Sequence, residues 1–480
     1  MKTINLLASF LFLLSVTAAA QNNVKEDWNN HDNYKEEIIE NLKNYPVNYY
    51  QPETPLKTQN KSNETTKQNS LTYPEFNFVN GINIAWVNFG RDIGKESNGT
   101  EYHPNMDSFK NIINSVSASG GNVIRWWYHT NGSTNPIFDQ TTGLVVANPS
   151  FFETDLKLIL DYAATKNIKI QICLWSFDML KGGQWNVNSA RNKRILVEDV
   201  ALQSYLDNAL IPLVNSIGNH SGLYAWEIFN EPEGMTTQYA SNWTGFTDRV
   251  TIADIQKVVN RIASAIRTAQ PDVKITNGAL GFLSGLNNSS FNYYNNYTNQ
   301  RLQDRGGKTN GYLDFYNIHY YSWAGTNGSP FHNNFNSSML DKPTVIAEYY
   351  PQDTFGVLAK DLASTLITRG WNGSLLWSWT DRGWNAMKPI IESANATLSL
   401  RKFELDEVSI FPNPTTDKIT IKGIPNYITK AFVTDTYGKI LKMEAIESNF
   451  TKIDISRYPK GIYFITFDDI NKTTKKVIKN

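Results

Sequence analysis

LYAWEIFNEPEG, at residues 223–234, decides the fold that we predict for this chain. Its apolar and aromatic part is one strand long and stops at Asn-Glu-Pro, which places Glu231 at the strand's exit. A second run, PTVIAEYYP at 343–351, ends in the same way with Glu348. Buried strands that present polar side chains at their carboxyl ends are typical of the functional face of a parallel β-barrel.

Working outward, eight apolar runs alternate with amphipathic helical segments between residues 76 and 398. The predicted strands are 81–89, 122–129, 168–175, 223–230, 273–280, 314–321, 344–350 and 374–379, and the predicted helices are 106–119, 149–166, 204–217, 252–269 and 355–369. The helical signal is weak after the fifth and sixth strands. This α/β pattern predicts a (β/α)8 TIM barrel over 76–398.

The two ends of the chain have a different character. After about Leu400 the helical pattern stops, and short alternating runs separated by Pro, Gly and Asn predict a small all-β sandwich over 403–480. Residues 1–20 have the apolar core and small-residue exit of a signal peptide, and the polar residues 21–75 predict a flexible spacer. No later run reaches the roughly 20 apolar residues of a membrane span, so we expect an exported chain without a transmembrane segment.

The composition limits the class of partner. Lys+Arg and Asp+Glu are 45 each, a formal net charge of +0, so nothing indicates nucleic acid or anionic lipid. Aromatic residues make up 13%, which suits stacking on sugar rings as well as core packing. The single cysteine, Cys173, lies in an apolar strand, where we expect a buried thiol.

Two glutamates facing each other across a barrel mouth predict a specific chemistry. One carboxyl group can protonate a glycosidic oxygen while the other, about 5 Å away, attacks the anomeric carbon. The sequence contains no His-Glu-x-x-His, no Gly-x-Gly-x-x-Gly after the first strand, no Gly-x-Ser-x-Gly and no cysteine cluster. The absence of these motifs counts against competing chemistries. The reaction between two carboxyl groups and a glycoside itself requires neither a metal nor an organic cofactor.

Residues 76–395 resemble glycoside hydrolase family 5 through Asn230-Glu231-Pro232 at the end of the fourth strand and Glu348 at the end of the seventh. The resemblance implies a retaining enzyme in which Glu231 is the acid/base and Glu348 the nucleophile.

The same resemblance extends to side chains around the two glutamates. It implies that Arg125 hydrogen-bonds the nucleophile, that Asn230 holds the sugar 2-hydroxyl, and that His319 and Tyr321 contact the acid/base and the nucleophile respectively.

Tryptophans provide the remaining candidate sugar contacts. LLWSWTD at 375–381 resembles the family's eighth-strand motif and implies that Trp377 lies under the sugar, with Trp379 as the fallback. Trp127 and Trp175, near strand exits, can build further subsites or belong to the core.

One stretch departs from the family pattern. Many members have a His-Asp pair after the third strand, whereas this chain has Ser176, Phe177 and Asp178. His129, after the second strand, is an alternative source of a similar contact.

The tail resembles the C-terminal sorting domain on cargo of the type IX secretion system of Bacteroidetes, through FPNPTTDKITI at 411–421, YPKGIYFI at 458–465 and KKVIK at 475–479. It implies export through the periplasm of a Gram-negative bacterium, to the cell surface or the medium. A carbohydrate-binding sandwich is the competing interpretation.

The sequence therefore predicts a secreted, monomeric, retaining endo-β-1,4-glycanase. GGNVIRWWYHTNG and NIAWVNFG resemble the family's bacterial mannanases more than its cellulases, which implies an endo-β-1,4-mannanase acting on β-mannan, with an endo-β-1,4-glucanase acting on β-glucan as the alternative. A non-hydrolytic surface glycan-binding protein is the second alternative.

Overall fold

The computed structural model describes residues 77–183, 187–241, 243–469 and 473–480. The predicted signal peptide and spacer lie outside these residues. The described chain forms a closed barrel of eight parallel strands, followed by two small antiparallel sheets. Both parts of the predicted fold class are confirmed.

The barrel strands follow one another around the barrel in chain order. Their bounds are β1 Val79–Ala85, β2 Val123–Thr130, β3 Lys169–Ser176, β4 Leu223–Asn230, β5 Ile275–Ala279, β6 Tyr316–His319, β7 Thr344–Glu348 and β8 Gly373–Leu376. All eight predicted strands exist, and their ends differ by a few residues. Strand β1 ends at Ala85, before the predicted residue 89, because Ala85 has a φ of 56° and leaves the extended conformation.

Helices and short helical turns surround the barrel. The α-helices are Met106–Ala118, Phe152–Thr165, Ser189–Val197, Asp199–Tyr205, Ile211–Ile217, Thr237–Ala240, Ile252–Ala269, Phe282–Gly285, Asn299–Gly306, Leu362–Thr368, Trp379–Arg382 and Trp384–Asp406. The predicted helix 252–269 has these same bounds because a capping box of Thr251 and Asp254 fixes its start. The predicted helix 204–217 begins earlier, at Asp199, and contains a π-helical turn, Leu206–Leu210.

One barrel connection departs from the regular alternation. Between β6 and β7 the chain forms a single 3-10 turn, Ser322–Ala324, and residues 325–343 contain no α-helix. The weak helical signal after the sixth strand is therefore a property of the fold. The outer side of the barrel is covered here by loops.

The interior of the barrel is layered, because alternate residues of each strand point inward. An apolar cluster near the amino ends of the strands contains Val79, Val123, Val345 and Leu375. Further along the same strands the inward side chains become polar, as in Arg125, and the carboxylates lie beyond them at the mouth. The polar layer thus rests on an apolar one.

The tail is a sandwich of two antiparallel sheets that share one apolar core. Its strands are Ser409–Phe411, Lys418–Lys422 and Phe450–Asp454 in one sheet, and Lys430–Thr434, Ile440–Ala445, Gly461–Phe467 and Thr474–Lys479 in the other.

The predicted end of the helical region needs a correction. The sequence interpretation ends the barrel at 398 and starts the tail at 403, but the last helix, Trp384–Asp406, runs through both positions. Leu398 packs on the barrel core and Leu405, two helical turns later, belongs to the core of the sandwich. The helical pattern continues past Leu400 because the helix packs first on the barrel core and then, at its end, on the core of the sandwich.

Among the described helices, none has the length and apolar character needed to cross a bilayer.

Candidate active site

Glu231 and Glu348 lie together at the carboxyl ends of β4 and β7, as predicted. Both side chains are buried. One carboxyl oxygen of each glutamate and one ring nitrogen of His319 all lie within 4.8 Å of one another. Nδ1 of His319 is 2.8 Å from Oε1 of Glu231 and 3.4 Å from Oε2 of Glu348. The imidazole therefore contacts both carboxyl groups.

The backbone at Glu231 turns sharply where the strand meets Pro232. Glu231 has a φ of 44°, a left-handed conformation that costs a non-glycine residue about 1 kcal/mol. Its N–H donates to the carbonyl of Gly278 at 2.9 Å, which anchors the turn to β5. Among the described residues, Oε2 of Glu231 has no hydrogen-bond partner. The turn thus leaves one carboxyl oxygen uncommitted within the protein.

Gly278 in β5 is required by the crowding beneath this turn. A Cβ at this position would lie 2.4 Å from Oε1 of Glu227 and 3.2 Å from Nε2 of His319. Only glycine lets β5 pass so close to both side chains.

Glu348 is held by two donors that Glu231 lacks. Nη1 of Arg125 donates to Oε1 of Glu348 at 2.5 Å, and the hydroxyl of Tyr321 donates to Oε2 at 2.8 Å. Both side chains are buried. Glu348 is therefore the better stabilised anion of the pair.

Arg125 is fixed by a network inside the barrel. Its Nε and Nη2 donate to the two oxygens of Glu227 at 2.6 and 2.7 Å, a bidentate ion pair. Gln171 also donates to Glu227, at 2.8 Å. The oxygens of Asn83 and Asn230 accept from Nη1 and Nη2 of Arg125, each at 2.8 Å. With Glu348, four side chains from β1, β4 and β7 thus accept from one guanidinium.

The different environments of Glu231 and Glu348 give their carboxyl groups different pKa values. Burial raises the pKa of both. The Glu348 and Glu233 carboxylates raise the pKa of Glu231 further, whereas Arg125 and the hydrogen bond from Tyr321 lower that of Glu348. As the pH rises, Glu348 loses its proton first and Glu231 keeps one longer. The pair can therefore hold one acid and one anion at the same time.

Glu231, His319 and Glu348 each offer an atom of a type that ligates metal ions. The oxygens of Glu348, however, already accept from Arg125 and Tyr321. A divalent cation beside Glu348 would meet the positive charge of Arg125 at close range. The arrangement fits proton transfer better than metal binding.

Trp127 and Trp377 form an aromatic wall at the mouth with Trp86. The ring centroids of Trp127 and Trp377 are 5.7 Å apart, and that of Trp86 lies 5.2 and 6.0 Å from them. The indole N–H of Trp377 donates to Asp381 at 2.6 Å, which fixes the ring.

Trp175 lies in a different environment. Its ring packs against His129 at 4.7 Å and against Tyr205, in the helical layer, at 5.5 Å. These contacts favour the core interpretation of Trp175, and its assignment to a subsite stays a prediction.

The divergent stretch after β3 also lies at the site. The hydroxyl of Ser176 donates to Asp178 at 2.5 Å, and the amide of Asn230 lies 3.5 Å from that hydroxyl. His129 instead contacts Asn135 and the ring of Trp175. Ser176 therefore occupies the place beside Asn230, and His129 has a packing position.

Sequence reasoning missed Glu227, Gln171, Asn83 and Trp86. Glu227 stands inside the opening stretch LYAWEIFN, four residues before Glu231, where an apolar strand contains one unexplained charge. A charge on a buried strand requires a partner, and Arg125 on β2 is the complementary exception. These two exceptions indicate that a buried ion pair exists, but the strand register that joins its members follows only from the structure.

Two relatives of known activity each match 64% of this chain. A mannan endo-1,4-β-mannosidase of Mytilus edulis is 30% identical over 64% of this chain and 85% of its own length, and one of Cryptopygus antarcticus is 34% identical over 64% and 81%. The chain belongs to the mannan endo-1,4-β-mannosidase family. It is a glycoside hydrolase, so the non-hydrolytic alternative is not supported and the resemblance to family 5 hydrolases is confirmed.

Solved structures of mannosidases agree with this membership. The endo-1,4-β-mannanase of Eisenia fetida matches with a TM-score of 0.58 and 29% identity, over 66% of this chain and 91% of the other. The β-1,4-D-mannanase of Cryptopygus antarcticus gives a TM-score of 0.59 and 29% identity, over 66% and 90%. Residues 409–480 match the family model of a secretion system C-terminal sorting domain, which confirms the resemblance of the tail.

Replacing Glu227 with Gln is expected to destabilise the folded chain by about 3–5 kcal/mol, because it removes one charge of a fully buried ion pair. Glu101→Gln is the matched control, since the Lys95–Glu101 pair is 41% exposed on both sides and an exposed ion pair contributes little to stability. Urea unfolding of both variants measures the difference. Equal loss in the two variants would show that the network does not stabilise the barrel.

Proposed function

We propose that this protein is a secreted endo-β-1,4-mannanase that cleaves a neutral β-mannan with retention of configuration. The observation that supports the reaction is the pair Glu231 and Glu348, because one carboxyl oxygen of each lies within 4.8 Å of the other. Retaining glycosidases separate their two carboxyl groups by about 5–5.5 Å, whereas inverting enzymes leave room for a water molecule between them.

In the first step, Glu348 attacks the anomeric carbon and its carboxylate forms a glycosyl ester. Glu231 gives its proton to the glycosidic oxygen, so the leaving chain departs as an alcohol. In the second step, Glu231 takes a proton from water, and the resulting hydroxide displaces Glu348 from the sugar. The uncommitted Oε2 of Glu231 is the atom that we assign to this proton transfer.

The neighbouring residues set the charges needed for these steps. Arg125 and Tyr321 favour the ionised form of Glu348 through their hydrogen bonds, and they oppose the burial that raises its pKa to about 7. His319 orients Glu231 through Nδ1, at 2.8 Å. Asn230 is held by Arg125 through its oxygen, so its amide nitrogen is the group that we assign to the sugar 2-hydroxyl.

The aromatic wall provides the apolar part of the sugar site. We assign Trp377 to the face of the sugar at the cleavage point, with Trp127 beside it. The relatives of Mytilus edulis and Cryptopygus antarcticus support mannan over glucan as the polymer, because they are named for that substrate.

We further propose that the enzyme reaches the cell surface or the medium through the type IX secretion machinery. The match of residues 409–480 to a secretion system C-terminal sorting domain supports this route.

Release of reducing sugar from mannan, glucomannan, carboxymethylcellulose and xylan tests the proposed substrate. The expected order places mannan first, and Glu348→Gln and Glu231→Gln should release almost nothing. Proton NMR of the earliest product should show the β-anomer. An α-anomer as the first product would refute retention, and faster release from carboxymethylcellulose than from mannan would refute the substrate.

The pH dependence of kcat/KM should be bell-shaped. Activity rises with pH as Glu348 ionises and falls as Glu231 loses its proton, and burial raises the pKa of Glu231 well above its ordinary value. The alkaline limb therefore lies well above the range of an exposed glutamate. Initial rates between pH 3 and 10 on soluble mannan, at fixed ionic strength, check this prediction, and an alkaline limb near the ordinary glutamate pKa of about 4.3 would contradict it.

A further inference from the structure

A cavity of about 310 Å³ lies away from the carboxylates, on the outside of the barrel. It is bounded by the helix Phe282–Gly285, by the loop that follows it, and by the helix-free connection between β6 and β7. Gly285 faces Ile318, the outward neighbour of His319 on β6, so this helix covers the outer surface of the strand. None of the candidate catalytic residues lines the cavity.

The floor of the cavity is aromatic and rigid. The rings of Phe282 and Trp371 stack with centroids 5.4 Å apart, and Phe335 meets Trp371 edge-on at 5.7 Å. The indole N–H of Trp371 donates to the carbonyls of Pro330 and Asn333 at 2.9 and 3.0 Å. The floor therefore consists of buried rings, 1% exposed in Trp371 and 3% in Phe282, that pack on one another and whose polar atom is already satisfied.

The rim combines exposed rings with amide groups. Phe291 is 41% exposed and pairs with Tyr293 at 5.6 Å. Asn334 and Asn336 are exposed, and their oxygens accept from Arg369 and from Ser338 respectively, at 3.0 and 2.8 Å. These contacts use the oxygen of each amide and orient the group, so that its NH2 can donate hydrogen bonds to a ligand or to solvent.

The lining contains no charged residue, and five of its members are asparagines. A charged ligand would lose its hydration here without gaining a counter-ion, so the lining selects a neutral one. The exposed ring of Phe291 suits the C–H face of a sugar, and the amides of the rim donate to and accept from its hydroxyls. The volume is at the lower end of the range for small-molecule sites, which fits a short segment of a chain.

We propose that this cavity is an accessory carbohydrate-binding site that holds a short segment of the neutral polysaccharide outside the catalytic groove. Only the identity of the sugar rests on the proposed function. Such a site would raise the local concentration of the polymer and increase the apparent affinity for long chains over short ones.

The test uses the full chain with Glu348→Gln, so that sugar binds without being cut. Isothermal titration with mannohexaose should show two classes of site, and adding Phe291→Ala should weaken one of them about ten-fold by removing an exposed ring. Retardation of the same proteins in a galactomannan gel should fall in parallel. In the otherwise unmodified enzyme, Phe291→Ala should leave kcat/KM on mannohexaose unchanged while lowering the rate on insoluble mannan.

Leu158→Ala, at a helical residue that is 47% exposed, is the control for loss of a surface apolar side chain and should change nothing. Asn336→Ala should weaken the same site as Phe291→Ala. A single class of site that Phe291→Ala leaves unaltered would overturn the proposal, as would a cavity that binds an apolar dye through Phe291 but no sugar. An enzyme that does not cut mannan, yet loses galactomannan retention on Phe291→Ala, would overturn the proposed function and keep the accessory site.

Discussion

Glu348→Gly is expected to lower kcat on mannan by at least about 10³-fold, because it removes the carboxylate that we propose to form the glycosyl ester. Added azide should partly restore turnover on an aryl β-mannoside. Azide attacks the anomeric carbon from the vacated side, the aryloxide leaves with the electrons of the bond between that carbon and the glycosidic oxygen, and the product is the α-mannosyl azide. Mass spectrometry and NMR identify that product.

Glu153→Gly is a control for the loss of a glutamate side chain, since Glu153 is exposed at the start of a helix far along the chain from the site. Its activity should stay within about two-fold of the parent. If Glu348→Gly kept a tenth of the parent activity, or if the azide product had the β configuration, Glu348 would not be the nucleophile.

Glu231→Gln is expected to show an effect that depends on the leaving group. Hydrolysis of mannan should fall by about 10²–10⁴-fold, because the departing sugar alkoxide needs a proton. Formation of the glycosyl-enzyme from 2,4-dinitrophenyl β-mannobioside should fall little, because the dinitrophenolate leaves without one. Stopped-flow absorbance should then show a burst followed by slow turnover, since the second step has lost its general base.

The same variant makes a prediction about stability. Burial raises the pKa of Glu231 above its unfolded value, so the stability contributed by its protonated form is lost as the pH rises through the folded pKa. Gln cannot ionise, so Glu231→Gln should melt at the parent temperature or above it at alkaline pH. Equal losses of activity on mannan and on the activated mannoside, or a lower melting temperature, would contradict the role of Glu231 as a buried acid.

The strand pattern could be predicted because buried parallel strands are continuous apolar runs of fixed length. Glu231 and Glu348 were found for the same reason, since each interrupts such a run at its exit. The order of strands around the barrel follows from chain order alone in this fold.

Contacts between distant strands could not be read in the same way. The pairing of Arg125 with Glu227 depends on the register of β2, β3 and β4, which the composition of a single strand does not specify. Trp175 and Trp377 have similar positions near strand exits in the sequence. Their different neighbours, Tyr205 in a helix and Trp127 in a strand, follow from packing alone.

The helix Trp384–Asp406 determines where the C-terminal end of a truncated, catalytic fragment should lie. A fragment that stops at residue 398 cuts the helix in the middle, whereas one that stops at 406 keeps it whole but exposes Leu405. An uncovered leucine near a chain end invites self-association. A fragment that ends at 406 and carries Leu405→Lys should therefore self-associate less than the unmodified fragment that ends at 406, and it keeps the helix that a fragment ending at 398 cuts.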